Sequence, residues 1–230
     1  MPMVDPAAVR KTYTDYLSIH ATFKNRMVLD EPFPFERFRV YEDRLPKHMC
    51  LLLLAESPPW NDPANYFYNP DFDGKLSTDV FNLLHIQGAS KEKKLSDFKE
   101  RRKCFLIDTV MCIYIKKNGK GRPLGTLIDW SAKNILQDEI VNVLKPKCIL
   151  VLGGTALRGI AQIKPFNTKL SMDMSPIDEC GKTFEFNDMA VVVSAFPNDR
   201  NRGHWKKITQ AFDTALKLAD DQCKRSQKKP

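Results

Sequence analysis

Two apolar runs in this 230-residue chain each empty into a polar, proline-bearing loop, and those loops hold the side chains best equipped for chemistry. Met49-Cys50-Leu51-Leu52-Leu53-Leu54-Ala55 leads into Glu56-Ser57-Pro58-Pro59-Trp60. Ala190-Val191-Val192-Val193-Ser194-Ala195 leads into Phe196-Pro197-Asn198-Asp199-Arg200-Asn201-Arg202-Gly203-His204. The first loop brings a carboxylate; the second brings arginines and a histidine. Such runs fit strands buried on both faces, as in a parallel sheet covered by helices. In open α/β sheets the ligand crevice lies outside the carboxyl ends of the strands. Loops far apart in the chain would therefore meet at one site.

The elements that must position these loops alternate along the chain. Residues 6–25 have helical spacing, with Asp5 as cap and Pro6 in the first turn. Residues 30–47, rich in proline and aromatics, read as an irregular wrapping segment. A strand at 49–55 precedes the long loop 56–75, and loops of that length in compact domains are often functional. A helix follows to about 86, then a highly charged, solvated helix over 91–102. The second strand covers 103–110 and ends on Leu106-Ile107-Asp108-Thr109-Val110; a basic glycine loop spans 116–123. An amphipathic helix over 126–144 stops at Lys145-Pro146. The third strand, 148–152, turns through Gly153-Gly154-Thr155 into a helix at 156–163. Residues 164–188 are irregular, with a short hairpin near Gly181. The fourth strand covers 189–195, a last helix 204–222, and the tail at 224–230 is frayed. This alternation predicts an α/β fold: three αβα layers around a central, mostly parallel four-stranded sheet, in one domain spanning 1–230.

The formal net charge is +8, with basic clusters at 91–103, 116–122, 200–207 and 224–229. A basic balance favours polyanionic partners, nucleic acid first, although net charge speaks to association and not to fold. The six cysteines form no C-x-x-C pair, so a zinc ribbon or thioredoxin-like motif has no support. With no signal peptide and no apolar run of transmembrane length, the expected setting is intracellular, cytoplasm or nucleus, with reduced thiols, no membrane contact and a monomeric chain.

Four strand ends, taken in order, resemble the uracil-DNA glycosylase superfamily. Ala55-Glu56-Ser57-Pro58 is similar to its Gly-[Gln/Glu]-[Asp/Ala/Asn]-Pro loop, and Leu106-Ile107-Asp108-Thr109-Val110 to its strand ending in Asn-Thr-Val-type residues. Lys145-Pro146-Lys147-Cys148-Ile149-Leu150-Val151-Leu152-Gly153 is similar to its Lys-Pro-x-x-Ile-x-x-Leu-Gly strand and turn. Phe196-Pro197-Asn198-Asp199-Arg200 stands where the family has a His-Pro-Ser-Pro-like loop. The resemblance spans about 45–220.

What the resemblance implies is a DNA base-excision glycosylase that takes a flipped base into a pocket. Glu56 would position water or stabilise the sugar cation that forms as the N-glycosidic bond breaks; as a plain residue it caps a loop or helix. Phe67 or Tyr68 would stack on the base, or simply pack the long loop onto the core. Asp108 occupies the base-reading asparagine position. An ionised carboxylate only accepts hydrogen bonds, so Asp108 suits a donor-rich base edge or must be protonated, which burial favours; otherwise it caps a loop. Asn198 is a further base-binding candidate. DNA contacts would come from Ser57, Pro58, Lys116, Lys117, Lys120, Arg122, Gly154, Thr155, Phe196, Pro197, Arg200, Asn201, Arg202 and His204. Ordinary alternatives are an exposed basic loop, and a tight glycine turn at Gly153-Gly154. Phe196 removes the donor that the family's histidine supplies. No iron–sulfur cysteine pattern is present, and neither metal nor cofactor is expected. Two other readings are a catalytically silent nucleic-acid binder and a nucleotide-handling α/β enzyme, the latter lacking a Walker lysine.

Overall fold

The computed structural model describes residues 5–29, 32–59, 62–114 and 125–227. Strands β2 (Leu51–Ala55), β3 (Cys104–Asp108), β5 (Cys148–Leu152) and β7 (Met189–Ser194) lie parallel in the order β3-β2-β5-β7. A fifth strand, β6 (Thr183–Phe186), pairs antiparallel with β7 at one edge, so the sheet is mixed and has five strands where four were expected. The β6–β7 hairpin turns at Asn187, φ 49°, and Gly181 before it has φ 89°. A separate two-stranded ladder pairs β1 (Met27–Val28) with β4 (Ile113–Tyr114).

Every residue of β2, β3 and β5 is buried, as continuous apolar runs require when helices cover both faces. Helices α3 (Lys75–Leu83), α4 (Lys91–Glu100) and α7 (Trp205–Gln227) cover one face. The other carries α1 (Pro6–Ile19), α5 (Gly125–Ser131) and α6 (Gly153–Ile160). α6 approaches the sheet so closely that a Cβ on Gly159 would stand 2.5 Å from Thr109 Cγ2, which is why a glycine occupies that turn.

Several sequence expectations are corrected. α1 stops at Ile19 because His20 leaves helical geometry, and a 3-10 turn takes over at Ala21–Arg26. The wrapping segment contains α2 (Pro34–Arg37) and a π-helical turn at Val40–Arg44. α5 continues through π-helical turns at Ala132–Leu136 and Glu139–Leu144, ending where Lys145 takes φ 46° before Pro146. α4 is less solvated than its charges suggest, since Leu95, Phe98 and even Lys91 are buried. Burial pushes the Lys91 ammonium down to about 8, while it donates to Phe72 O (2.8 Å) and Ser77 Oγ (2.9 Å).

The expectation of uniformly reduced thiols also fails: Cys50, beside β2, and Cys223, in α7, form a disulfide. Their separation of 173 residues hides the pair from any spacing rule. It arises because α7 lies across the sheet and its last turns reach the start of β2. The tail expected to fray is helical to Gln227. Cys104, Cys112 and Cys148 are free and buried. No helix among the described residues is long and apolar enough to cross a membrane.

Candidate functional site

The parallel strands all end on one side of the sheet. Their chain order reverses direction between β2 and β5, because β2 leads to β3 on one flank while the next strand, β5, lies on the other. Loops leaving such a switch point diverge and leave a crevice. A cavity of about 590 Å³ occupies it, within the ~300–1,000 Å³ usual for small-molecule sites.

Four segments build most of its wall. The loop after β2 contributes Glu56, Ser57, Pro58, Asn65, Tyr66 and Phe67. Asp108 closes the floor at the end of β3, in register with Ala55. Gly153, Gly154 and Thr155 come from the first turn of α6, and Phe196, Asn198, Arg200 and Asn201 from the loop after β7. Glu56, Asp108 and Arg200, distant in sequence, thus share one hollow.

Glu56 is held across the switch point, where Thr155 Oγ1 donates to its Oε2 at 2.9 Å. That contact gives Thr155 a positioning role and ties the β2 loop to α6. Gly153 adopts φ 84°, and a Cβ there would meet Phe196 Cβ at 3.1 Å; glycine therefore lets the α6 turn and the 196 loop approach.

Asp108 is only 7% exposed. Burial first, and then the Glu56 carboxylate, push it from 3.8 up to about 8. At neutral pH Asp108 therefore carries its proton.

The other predicted residues divide. Phe67 lines the cavity, its ring wedged among Tyr68 (centroids 5.0 Å apart), Phe98 (5.3 Å) and Phe81 (5.5 Å). Tyr68 does not reach the cavity: its hydroxyl accepts from Leu106 N at 2.7 Å and donates to Leu106 O at 3.1 Å, stapling the loop to β3. Tyr66, not chosen from the sequence, takes its place in the wall and stacks on Phe38 at 5.5 Å. Asn198 Oδ1 caps the next turn by accepting from Asn201 N at 3.2 Å, and Asn201 Nδ2 holds Phe196 O at 2.8 Å. Both side chains shape the loop as well as lining the cavity.

Pro197 is buried and does not line the hollow. Arg202 pairs with Asp199 at 2.7 Å and belongs to an adjoining cleft with Lys75, Asp79 and Trp205. His204 ends the 3-10 turn Asp199–His204 and lines neither hollow. Lys116, Lys117, Lys120 and Arg122 lie outside the described residues. Among the described residues no three His, Cys, Asp or Glu side chains cluster to hold a metal.

Sequence reasoning missed Lys75, which lines both hollows and lies 3.3 Å from Asp79 and from Asp199. Nothing in its local pattern marks it apart from other exposed lysines at helix starts. Pro176 and Ile177, from a segment read as irregular, complete the rim. No family model and no curated protein matches this chain.

Proposed function

We propose that this protein is a DNA base-excision glycosylase related to the uracil-DNA glycosylase superfamily. The observation that carries the reading is the convergence of Glu56, Asp108, Phe67 and Arg200 on one cavity of nucleotide size at the strand ends.

In this reading the cavity takes a base rotated out of the duplex. Breaking the glycosidic bond sends its electron pair to the base and leaves positive charge on the sugar. The Glu56 carboxylate, oriented by Thr155, stabilises that cation and accepts a proton from the attacking water. The protonated Asp108 carboxyl offers one donor and one acceptor. That pair matches a lactam edge, as in uracil or hypoxanthine: the O–H donates to the base carbonyl and steadies the charge arriving there. Phe67 and Tyr66 supply apolar walls for the ring, and Arg200 a cation for a flanking phosphate.

One observation favours a second reading, a nucleic-acid binder without activity: Phe196 lines the cavity and brings no donor for the departing base. Incubation with uracil-, hypoxanthine- and thymine-mismatch duplexes separates the two. Release of free base that Glu56→Gln abolishes supports the enzyme; salt-dependent binding with no release from any substrate supports the binder.

A further inference from the structure

A second cleft adjoins the candidate site and has no part in the reaction above. It measures about 350 Å³ and is lined by Lys75, Asp79, Asp199, Arg202 and Trp205. Lys75 lines the main cavity as well, so the two hollows meet at its side chain. The loop after β7 divides its residues between them: Asn198, Arg200 and Asn201 line the main cavity, Asp199 and Arg202 the cleft. The 3-10 turn Asp199–His204 is thus a partition with a hollow on each side.

Trp205 opens α7 directly after that turn and is half-buried. Part of it packs against the core and part lines the cleft. Trp130 stands edge-on to Tyr16, Tyr66 stacks on Phe38 and Phe67 meets Tyr68, whereas no ring pairs with Trp205 among the described residues. An indole presented to a cleft in this way is a stacking platform for a nucleobase, since every base has a π-face.

The charges inside the cleft cancel. Lys75 Nζ lies 3.3 Å from Asp79 and from Asp199, and Arg202 Nε lies 2.7 Å from Asp199. Two cations balanced by two carboxylates suit a neutral, flat group with polar edges better than a phosphate. Around the cleft the balance is basic: Lys206 and Lys207 are exposed on the first turn of α7, and Arg200 is exposed on the wall of the main cavity. The cations for a nucleic-acid backbone therefore stand beside the hollow and the aromatic ring within it.

We propose that the cleft is a subsite for the nucleotide next to the one in the main cavity: its base stacks on Trp205, and the phosphate linking the two nucleotides passes Lys75 and Arg200. The Lys75 side chain is 50% exposed, and ion pairs that exposed are weak, so its ammonium turns to the phosphate at little cost. Two consecutive bases then leave the helical stack. In a duplex both pairs must be broken first, whereas a single strand has none to break. The substrate class this assigns is single-stranded DNA, or a duplex already open over two pairs. Stacking and backbone contacts carry little base preference, so the flanking sequence is read weakly.

The inference rests on the glycosylase reading only for which base fills the main cavity; occupation of the cleft needs no damaged base. The test uses the full chain and a thymidine oligonucleotide, single-stranded or annealed to its adenosine complement, with affinity read by anisotropy and stacking by tryptophan fluorescence. The single strand should quench the indole emission and bind on the order of 10-fold more tightly than the duplex. Trp205→Ala should lose the quenching and weaken single-strand binding on the order of 10-fold. Trp205→Phe should lose the quenching and keep most of the affinity, because a phenyl ring still stacks. Lys75→Gln should lower the slope of log affinity against log salt by about 0.7, the loss of one phosphate contact on a single strand. Quenching that persists in Trp205→Phe, a single strand bound no more tightly than the duplex, or unchanged affinity in folded Trp205→Ala overturns the proposal. Should Trp205→Ala not fold, Trp205→Phe and the wild-type comparison of the two probes decide. Release of uracil from single and double strands at equal rates, with no quenching, would overturn this inference and leave the glycosylase reading standing; quenching and a single-strand preference with no release from any substrate would do the reverse.

Discussion

Replacing Asp108 by asparagine should stabilise the protein, and by an amount that depends on pH. In the unfolded chain this carboxyl ionises near its ordinary 3.8, whereas in the folded chain burial and Glu56 hold it at about 8. Folding at pH 7 therefore requires taking up a proton. A pKa raised on folding contributes stability that is full below the unfolded value, near pH 4, and is lost progressively as pH rises to the folded value. Each unit between the two is worth about 1.4 kcal/mol, so the protonation at pH 7 opposes folding by about 4 kcal/mol. An amide of the same shape takes up no proton. Asp108→Asn should thus gain about 4 kcal/mol at pH 7, almost nothing at pH 4, and a Tm increase on the order of 10 °C at pH 7 to 8. Glu139 shifts in the same direction, so the wild type should lose stability with pH at a slope approaching two protons, and the variant at about half that. Urea titrations of both proteins at pH 4, 5, 6, 7 and 8 measure this. Equal stability of the two at pH 8, or parallel curves throughout, would refute the argument that Asp108 is buried in its neutral form.

Other predictions follow from the same geometry. Glu56→Gln should lower base release on the order of 100-fold while leaving duplex affinity within a few-fold, since it removes charge stabilisation made only in the transition state; Thr155→Val should give a smaller loss in the same direction. Gly153→Ala should destabilise by about 1–2 kcal/mol in urea, because φ 84° disfavours any Cβ and Phe196 stands in its way. Reduction, or Cys50→Ser, should lower stability by about 5 kcal/mol, read as an earlier urea midpoint, since the bond closes a loop of 173 residues. Arg200→Ala should reduce the slope of log affinity against log salt by about one, if that guanidinium neutralises one phosphate.

Much of this site could be read from residue order because the parallel strands are continuous apolar runs. Such a run announces its own end, and in a parallel sheet all ends share one side, so Glu56, Asp108, Gly154 and Arg200 could be gathered before any coordinates. What stayed hidden depends on how segments fold back. β6 has a half-exposed pattern and pairs only with the edge strand β7, and its residues sit in a stretch without regular periodicity. Tyr66 and Tyr68 differ in role because their directions off one loop differ, which their types do not reveal. Glu139 looks like any acid in a charged helix; only the approach of Tyr41, 98 residues away, distinguishes it. The disulfide is invisible for the same reason, since α7 alone brings Cys223 to Cys50.

The central claim is that the hollow at the strand ends receives a single base and releases it from DNA, with Asp108 neutral and Glu56 beside it. Its most direct measurement is free base released from uracil- and hypoxanthine-containing duplexes, compared with cytosine, between pH 6 and 9. Release from the deaminated bases is expected, falling above about pH 8 in the wild type as Asp108 loses its proton. Asp108→Asn should keep activity with that fall removed, because an amide still donates and accepts; Asp108→Ala and Glu56→Gln should be inactive or nearly so. Release that is unaffected by Glu56→Gln, or an Asp108→Asn protein as inactive as Asp108→Ala, would contradict the account.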